Sequence, residues 1–250
     1  MVTVPLREGS GWLPDLAAFD AWDEIALFWV CYPNNPTGAV ADEGFFAEAA
    51  AFARANDVIA IHDASYTEVA FDDARPSSFL GAPGAMDVGA EIFSLSKGWN
   101  MTGWRVGWIA GNAEVVERYR RLKTNLDSGM FDALQLAAVA ALTTAHDFPR
   151  EMSDVYRRRR DLMVDALAEA GLLSRPPRAT PYIWTRVPEG HDSASFAELV
   201  LEQAAVVVSP GSSFGRAGEG FVRMSLTVAD ERLTEAAGRI ASSLRVESRA

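Results

Sequence analysis

The sequence predicts an α/β protein: a domain built on a mainly parallel sheet, then a smaller α+β unit. Three observations carry this. The first half alternates short apolar runs with helical patterns, as βαβ units do. From Asn112 to about Ala170 the pattern turns almost wholly helical, and it breaks at Gly171 and the Pro176-Pro177 pair. The remainder returns to short strands and single helices. The expected division is residues 1–150 for the large domain and 151–250 for the small one.

Taken in order, Ile25 to Cys31 is a continuous apolar run that halts at Pro33, a strand buried on both faces. Asp42 caps a helix whose apolar face is Phe45, Phe46, Ala49, Phe52 and Ala53. Strands follow at Val58–Ile61, Ile92–Leu95 and Val106–Ala110, each flanked by polar or glycine-containing turns. In the small unit, strands are expected at Tyr182–Arg186, Val206–Val208 and Phe221–Ser225. Helices are expected at Ser193–Gln203 and from Asp230 onward.

Composition narrows the function. The 250 residues are 49% hydrophobic and 10% aromatic, enough for a packed core. A net charge of -11 speaks against a nucleic-acid partner, which needs clustered Lys and Arg. The densest basic run, Arg157 to Arg160, reads as a solvated helix face. One cysteine, Cys31, excludes an intramolecular disulfide and suits a reducing compartment. The N-terminus lacks a secretory pattern, and no window approaches the roughly 18 apolar residues of a membrane span. A cytoplasmic protein is expected. His62, His146 and His191 lie too far apart for metal-ligand spacing, so no metal is expected.

Chemistry concentrates in four places. Ser94-Leu95-Ser96-Lys97 follows a strand, with Arg105 eight residues beyond the lysine. A held, partly deprotonated lysine can form a Schiff base with an aldehyde. Two hydroxyls and a guanidinium suit a phosphate dianion. By itself the tetrapeptide reads equally well as a surface lysine in a turn. Asp63 ends the run Val58 to His62, with Tyr66 three residues on. Ligands of open α/β sheets sit at such carboxyl ends, although a strand-end Asp capping a turn has the same pattern. Tyr32-Pro33-Asn34-Asn35-Pro36-Thr37-Gly38 is a turn made rigid by two prolines and a glycine. Arg223 sits within a strand in Phe221-Val222-Arg223-Met224-Ser225.

In this order and spacing, YPNNPTG, D-x-x-Y and S-x-S-K with its later arginine resemble the class I/II aminotransferases of fold type I. Those enzymes depend on pyridoxal 5'-phosphate (PLP). The resemblance runs over essentially the whole chain. It implies that Lys97 holds the cofactor and shuttles the substrate proton, and that Asp63 pairs with the pyridine nitrogen. It gives Asn35 and Tyr66 to the ring oxygen, Ser94, Arg105 and Ser96 to the phosphate, and Arg223, with Asn35, to the substrate α-carboxylate. A homodimer is implied as well, with Asn125 to Phe131 near its interface. SLSKGWNMTGWRVGW, KTNLDSGMFDALQLAA and GEGFVRMSLTVADERL look most like the LL-diaminopimelate aminotransferases, which exchange an amino group between glutamate/2-oxoglutarate and a lysine-pathway intermediate. Gly98 and Trp99 depart from the Thr and Tyr that relatives often carry.

Relatives carry a long segment ahead of the part matching Val2 to Pro14. It supplies a glycine-rich phosphate turn, a ring stacked on the pyridine, and opening elements of the large domain. The expectation is a weak or inactive enzyme from the 250 residues alone. Two further readings stand beside the aminotransferase. One is another fold-type I reaction, a β-lyase or synthase; the other is a non-catalytic PLP-fold fragment or sensor.

Overall fold

A computed structural model describes residues 2–18 and 24–244 of the chain. It divides into two compact units. One comprises Leu13–Pro33 and Val40–Ser153; the other comprises Met1–Trp12, Asn34–Ala39 and Asp154–Ala250. The sequence expectation drew a single boundary near residue 150; here two short early segments are counted with the C-terminal unit.

The first unit is built on a four-stranded sheet in the order β1 (Leu27–Cys31), β2 (Ile59–Asp63), β3 (Gly89–Ser94) and β4 (Gly107–Gly111). The first three strands are parallel and β4 runs antiparallel to β3. Helix α1 (Glu43–Ala55) connects β1 to β2. Its cap is as expected, Asp42 accepting from the Phe45 N–H at 2.9 Å. It buries Phe45, Phe46, Ala49, Ala50 and Ala53, so Ala50 takes the place expected for Phe52.

Two expectations for this sheet need correction. The run ending at Cys31 does form β1, but only Phe28 and Val30 are buried; Leu27 and Trp29 remain 48% and 53% exposed. One face of this strand is therefore uncovered. Strand β3 begins at Gly89, three residues before the apolar run suggested, and ends at Ser94 rather than Leu95. Neither Gly89 nor Glu91 has the character of a strand former. Gly89 is demanded by proximity, since a Cβ there would lie 2.1 Å from the Ala60 carbonyl oxygen. After α2 (Ala85–Val88) and β3, the one-turn helix α3 (Leu95–Gly98) follows. Helices α4 (Ala113–Leu126), α5 (Asp132–Thr144) and α6 (Phe148–Glu169) fill the predicted helical stretch.

The second unit holds an antiparallel sheet with β7 (Phe221–Ser225) between β5 (Tyr182–Arg186) and the short β6 (Ser209–Pro210). Helix α7 (Ser193–Ala204) opens with a capping box between Asp192 and Ser195, and α8 (Asp230–Ser243) closes the fold. The strand expected at Val206–Val208 is absent. Ala205 ends α7 in the left-handed region (φ 50°), Val207 stands 82% exposed, and pairing with β7 begins only at Ser209. The basic run on α6 is also not a uniformly solvated face. Arg159 turns inward to Asp230 (2.6 Å) and the Leu226 carbonyl (3.0 Å), and Arg160 is buried against the Pro177 carbonyl (3.2 Å). Among the described residues, no helix is long and apolar enough to cross a membrane.

The turn Asn34–Ala39 shows why its glycine is required. Asn34 Oδ1 accepts from the Thr37 hydroxyl at 2.8 Å, the Asn34 N–H donates to the Ala39 carbonyl at 2.8 Å, and Gly38 sits at φ 72°. A Cβ on Gly38 would lie 2.6 Å from Pro177 Cβ. Gly38→Ala is expected to cost about 1–3 kcal/mol through strain and overpacking together. The check is a lower denaturant midpoint with an unchanged slope.

Candidate active site

In the first unit, the carboxyl ends of β2 and β3 carry four of the singled-out residues, Asp63, Ser94, Ser96 and Lys97, with Tyr66 and Arg105 in the loops that follow. Asp63 is the last residue of β2 and faces Ile92 in register. Ser94 ends β3 two residues later, and α3 carries Ser96 and Lys97. Asp63 is half-buried; its Oδ1 accepts from Ser65 N (3.1 Å) and the Ser65 hydroxyl (2.5 Å). No cation is paired with it among the described residues. Tyr66 is buried in the loop after β2.

The lysine turn is assembled from local geometry. Ser94 caps α3, its Oγ accepting from the Ser96 N–H at 3.1 Å, which leaves its own O–H to donate outward. The Thr102 hydroxyl binds the Ser96 carbonyl at 2.9 Å, and Met101 N donates to the Leu95 carbonyl at 3.2 Å. Leu95 is fully buried with Val106 and Ala141. The turn is thus anchored on both sides of the lysine, while the lysine itself is not. Lys97 is half-buried and its ammonium meets no hydrogen-bond or ion-pair partner among the described residues. A half-buried amine with nothing to neutralise its charge is suited to nucleophilic use. Arg105 is exposed, with φ 55° and ψ 45°, and donates to the Thr102 carbonyl at 2.9 Å. A left-handed conformation on an arginine is a strained arrangement of the kind held at functional sites.

In the second unit the structure brings Asn35 and Arg223 together. Arg223, in the central strand β7, donates through Nη1 to Asn35 Oδ1 at 2.9 Å. Its guanidinium lies 4.3 Å from the Tyr182 ring centroid and 4.7 Å from that of Phe214. Its Nε is buried without a partner, and no carboxylate pairs with it among the described residues. A planar fork held between two rings, with donors unspent, fits a carboxylate presented edge-on.

Several participants were not singled out from the sequence. Tyr182 was expected only as the start of a strand, and Phe214 only within the loop at residues 210–215 that fits the family's pattern; neither was given a contact with Arg223. Trp99, noted only as a departure, ties the lysine turn to α5 by donating to the carbonyls of Ala141 (3.1 Å) and Ala145 (3.2 Å). Gly98 is its complement, because a Cβ there would sit 2.6 Å from Glu68 Cβ. His62 and Glu91, one residue back from Asp63 and Ile92, are fully buried and bonded to each other. The sequence did hold a hint of them, since an acid inside the run Ala90-Glu91-Ile92 demands a partner.

Comparison with known proteins agrees with this arrangement. The family model for class I and II aminotransferases matches residues 1–240. The chain is 52% identical over 243 residues to the LL-diaminopimelate aminotransferase of Desulforudis audaxviator, covering 96% of the chain and 62% of that protein. It is 48% identical to that of Moorella thermoacetica, covering 95% and 61%. Among solved structures, an aminotransferase from Staphylococcus aureus superposes with a TM-score of 0.90 at 38% identity, covering 96% of the chain and 64% of that structure. L,L-diaminopimelate aminotransferase from Chlamydomonas reinhardtii gives 0.84 at 30% identity, covering 94% and 59%. The chain therefore spans about 62% of the length of the curated relatives it matches.

Two stability predictions follow from this geometry. Gly98→Thr is expected to lose about 1–3 kcal/mol because its Cβ would lie 2.6 Å from Glu68 Cβ; chemical denaturation reads it. Burial by itself would raise the Glu91 carboxyl, but hydrogen bonds from His62, Ser78 and Phe79 outweigh it and hold the group below the usual range. Its contribution is thus complete above the unfolded value of about 4.3 and fades as pH falls through the lower folded value. The acid limb of the stability profile should be flatter in Glu91→Gln than in the parent chain.

Proposed function

We propose, from the premise that this chain belongs to the class I and II aminotransferase family and has the fold type I architecture of PLP-dependent transferases, that its protein is an aminotransferase. It would exchange an amino group between an amino acid and a 2-oxo acid, with LL-diaminopimelate as the substrate its relatives' names suggest and 2-oxoglutarate as the acceptor the sequence resemblance implies. The observation that carries this reading is Lys97: a half-buried, unpartnered amine on the same sheet edge as an unpaired carboxylate, Asp63.

The donor set fits PLP group by group. Lys97 offers an amine for the aldehyde, and Asp63 a carboxylate for a protonated ring nitrogen. Tyr66 offers a phenol for the ring oxygen, a role that the motif match extends to Asn35. Ser94, Ser96 and Arg105 offer hydroxyls and a guanidinium for the phosphate. Bound PLP would supply an electron sink for charge developing at the substrate Cα.

The rest is the work of the chain's own groups. Asp63 keeps the ring nitrogen protonated by offering it an anion in a partly dry setting. Lys97 carries the proton at Cα as general base and acid. Arg223, steadied by Asn35, Tyr182 and Phe214, would grip the substrate α-carboxylate by its fork. We further propose a cytoplasmic homodimer.

The deciding experiment is a visible-absorption titration with PLP, run beside Lys97→Ala. The reading expects a pH-sensitive band that needs Lys97; no band, or the same band in the variant, would sink it for this chain. In a transamination assay, Arg223→Lys keeps the charge and loses the fork. It is expected to raise KM for the amino acid about 10- to 100-fold, the cost of one or two charged hydrogen bonds, with a smaller change in kcat. An unchanged KM would remove Arg223 from the substrate.

A further inference from the structure

Directly behind the proposed cofactor carboxylate lies a polar network that the reading above does not use. His62 and Glu91 face each other in register on β2 and β3, and neither has any exposed surface. Each ring nitrogen of His62 is committed. Nε2 lies 2.7 Å from the Tyr32 carbonyl oxygen, just beyond the end of β1, and Nδ1 lies 2.6 Å from Glu91 Oε1. Glu91 also accepts from the Phe79 N–H at Oε1 and from the Ser78 hydroxyl at Oε2, both at 2.6 Å. The Phe46 ring closes over the imidazole at a centroid distance of 4.6 Å.

Counting protons fixes the state of the pair. A carbonyl oxygen can only accept, so Nε2 carries a hydrogen. The 2.6 Å contact then requires one more proton between Nδ1 and Oε1. Two further donors aim at the same carboxylate, and donors stabilise the anion. On this geometry the proton is assigned to the imidazole. The result is an imidazolium–carboxylate pair, neutral overall, with both carboxylate oxygens accepting hydrogen bonds. That is the condition under which a buried ion pair is tolerated.

We propose that His62 and Glu91 are positioning residues for Asp63, locking the end of β2 to the residue after β1 and to β3 so that the carboxylate is presented at a fixed place. Asp63 is the next residue, and by strand alternation its side chain leaves the opposite face of the sheet. The network thus grips the backbone from behind while the functional group points forward. Preorganised sites depend on supports of this kind. The part of this inference that concerns cofactor presentation rests on the function proposed above; the protonation of the pair and its hold on Asp63 do not.

The test uses the 250-residue chain without added ligand. With 15N-labelled histidine, the His62 resonances, assigned by their loss in His62→Gln, are expected to show both ring nitrogens protonated at neutral pH. The Nδ1 proton should lie far downfield and exchange slowly. The 13C carboxyl resonance of Asp63, assigned with Asp63→Asn, is expected to move in His62→Gln and in Glu91→Gln. It should stay in place in Val69→Ala, a buried truncation in the same unit that removes none of these hydrogen bonds. An unprotonated Nδ1, or an Asp63 resonance that ignores the network variants or responds equally to Val69→Ala, overturns the proposal. Should the single variants fail to fold, His62→Leu/Glu91→Leu removes both charges together and reads the same resonance. PLP titration is the separate arm. If the parent chain binds no PLP, the functional reading fails while the resonances still decide the pair. If it binds, His62→Gln is expected to weaken affinity about tenfold, as one lost charged hydrogen bond would, and unchanged affinity overturns the positioning role.

Discussion

At the end of β2 a histidine with no exposed surface has both ring nitrogens bonded, one to a strand neighbour and one to a carboxylate equally dry. Groups this polar are expelled from a core unless every donor and acceptor is met, and one unmet member costs more than the whole network returns. The constraint therefore propagates. Glu91 must face His62, so the register of β2 on β3 cannot slip. The Tyr32 carbonyl must face the imidazole, so the chain leaving β1 has one exit. Ser78 and Phe79 must reach Glu91, so the loop before α2 is tied as well. A shift by one residue in β2 would exchange His62 with a neighbour meant for the opposite face, and the pairing could not survive it.

On that frame the reactive groups share a property: supports are dense around them, while the groups themselves are left unmatched. The backbone around Lys97 is bonded at Leu95, Ser96 and Met101 and packed through Trp99 onto α5, yet its ammonium has no counterion among the described residues. Arg223 lies against two aromatic rings with one hydrogen bond to a neutral amide and no carboxylate among the described residues. Elsewhere the chain pairs its charges freely, as along α4, where Glu114, Glu117 and Asp127 take Arg118, Arg120, Arg121 and Lys123. Lys97 and Arg223, anchored but without a carboxylate among the described residues, fit the roles proposed for them.

The sequence made some of this legible and concealed the rest, for physical reasons. Strands β5 and β7 and the cap at Asp42 could be read because local chemistry determines them: β-branched and aromatic residues in alternation, and a carboxylate placed to meet a free N–H. The motif residues were legible because their order and spacing are unusual. What stayed hidden was set by tertiary contact. Gly89 and Glu91 look unlike strand residues until Ala60 and His62 are beside them. Val206–Val208 looks like a strand, but no neighbour's edge reaches it until Ser209. Arg159 and Arg160 looked solvated because nothing local reveals that Asp230 and Pro177 come to meet them.

The face of the sheet that presents Asp63 is also the one that leaves Trp29 and Leu27 open, because Leu27, Trp29, Ile61, Asp63 and Ile92 share that side by register. Two requirements therefore meet there. Exposed aromatic and aliphatic surface favours a cover that removes it from water. A cover raises the cost of leaving a carboxylate ionised, because the charge loses solvent while its hydrogen-bond partners among the described residues are the Ser65 hydroxyl and amide. A cation brought to Asp63 resolves that conflict, and it is worth more as the surroundings become drier. A cation seated beneath such a cover would satisfy both requirements together. The open hydrophobic face and the unpaired acid are thus better understood as one feature than as two.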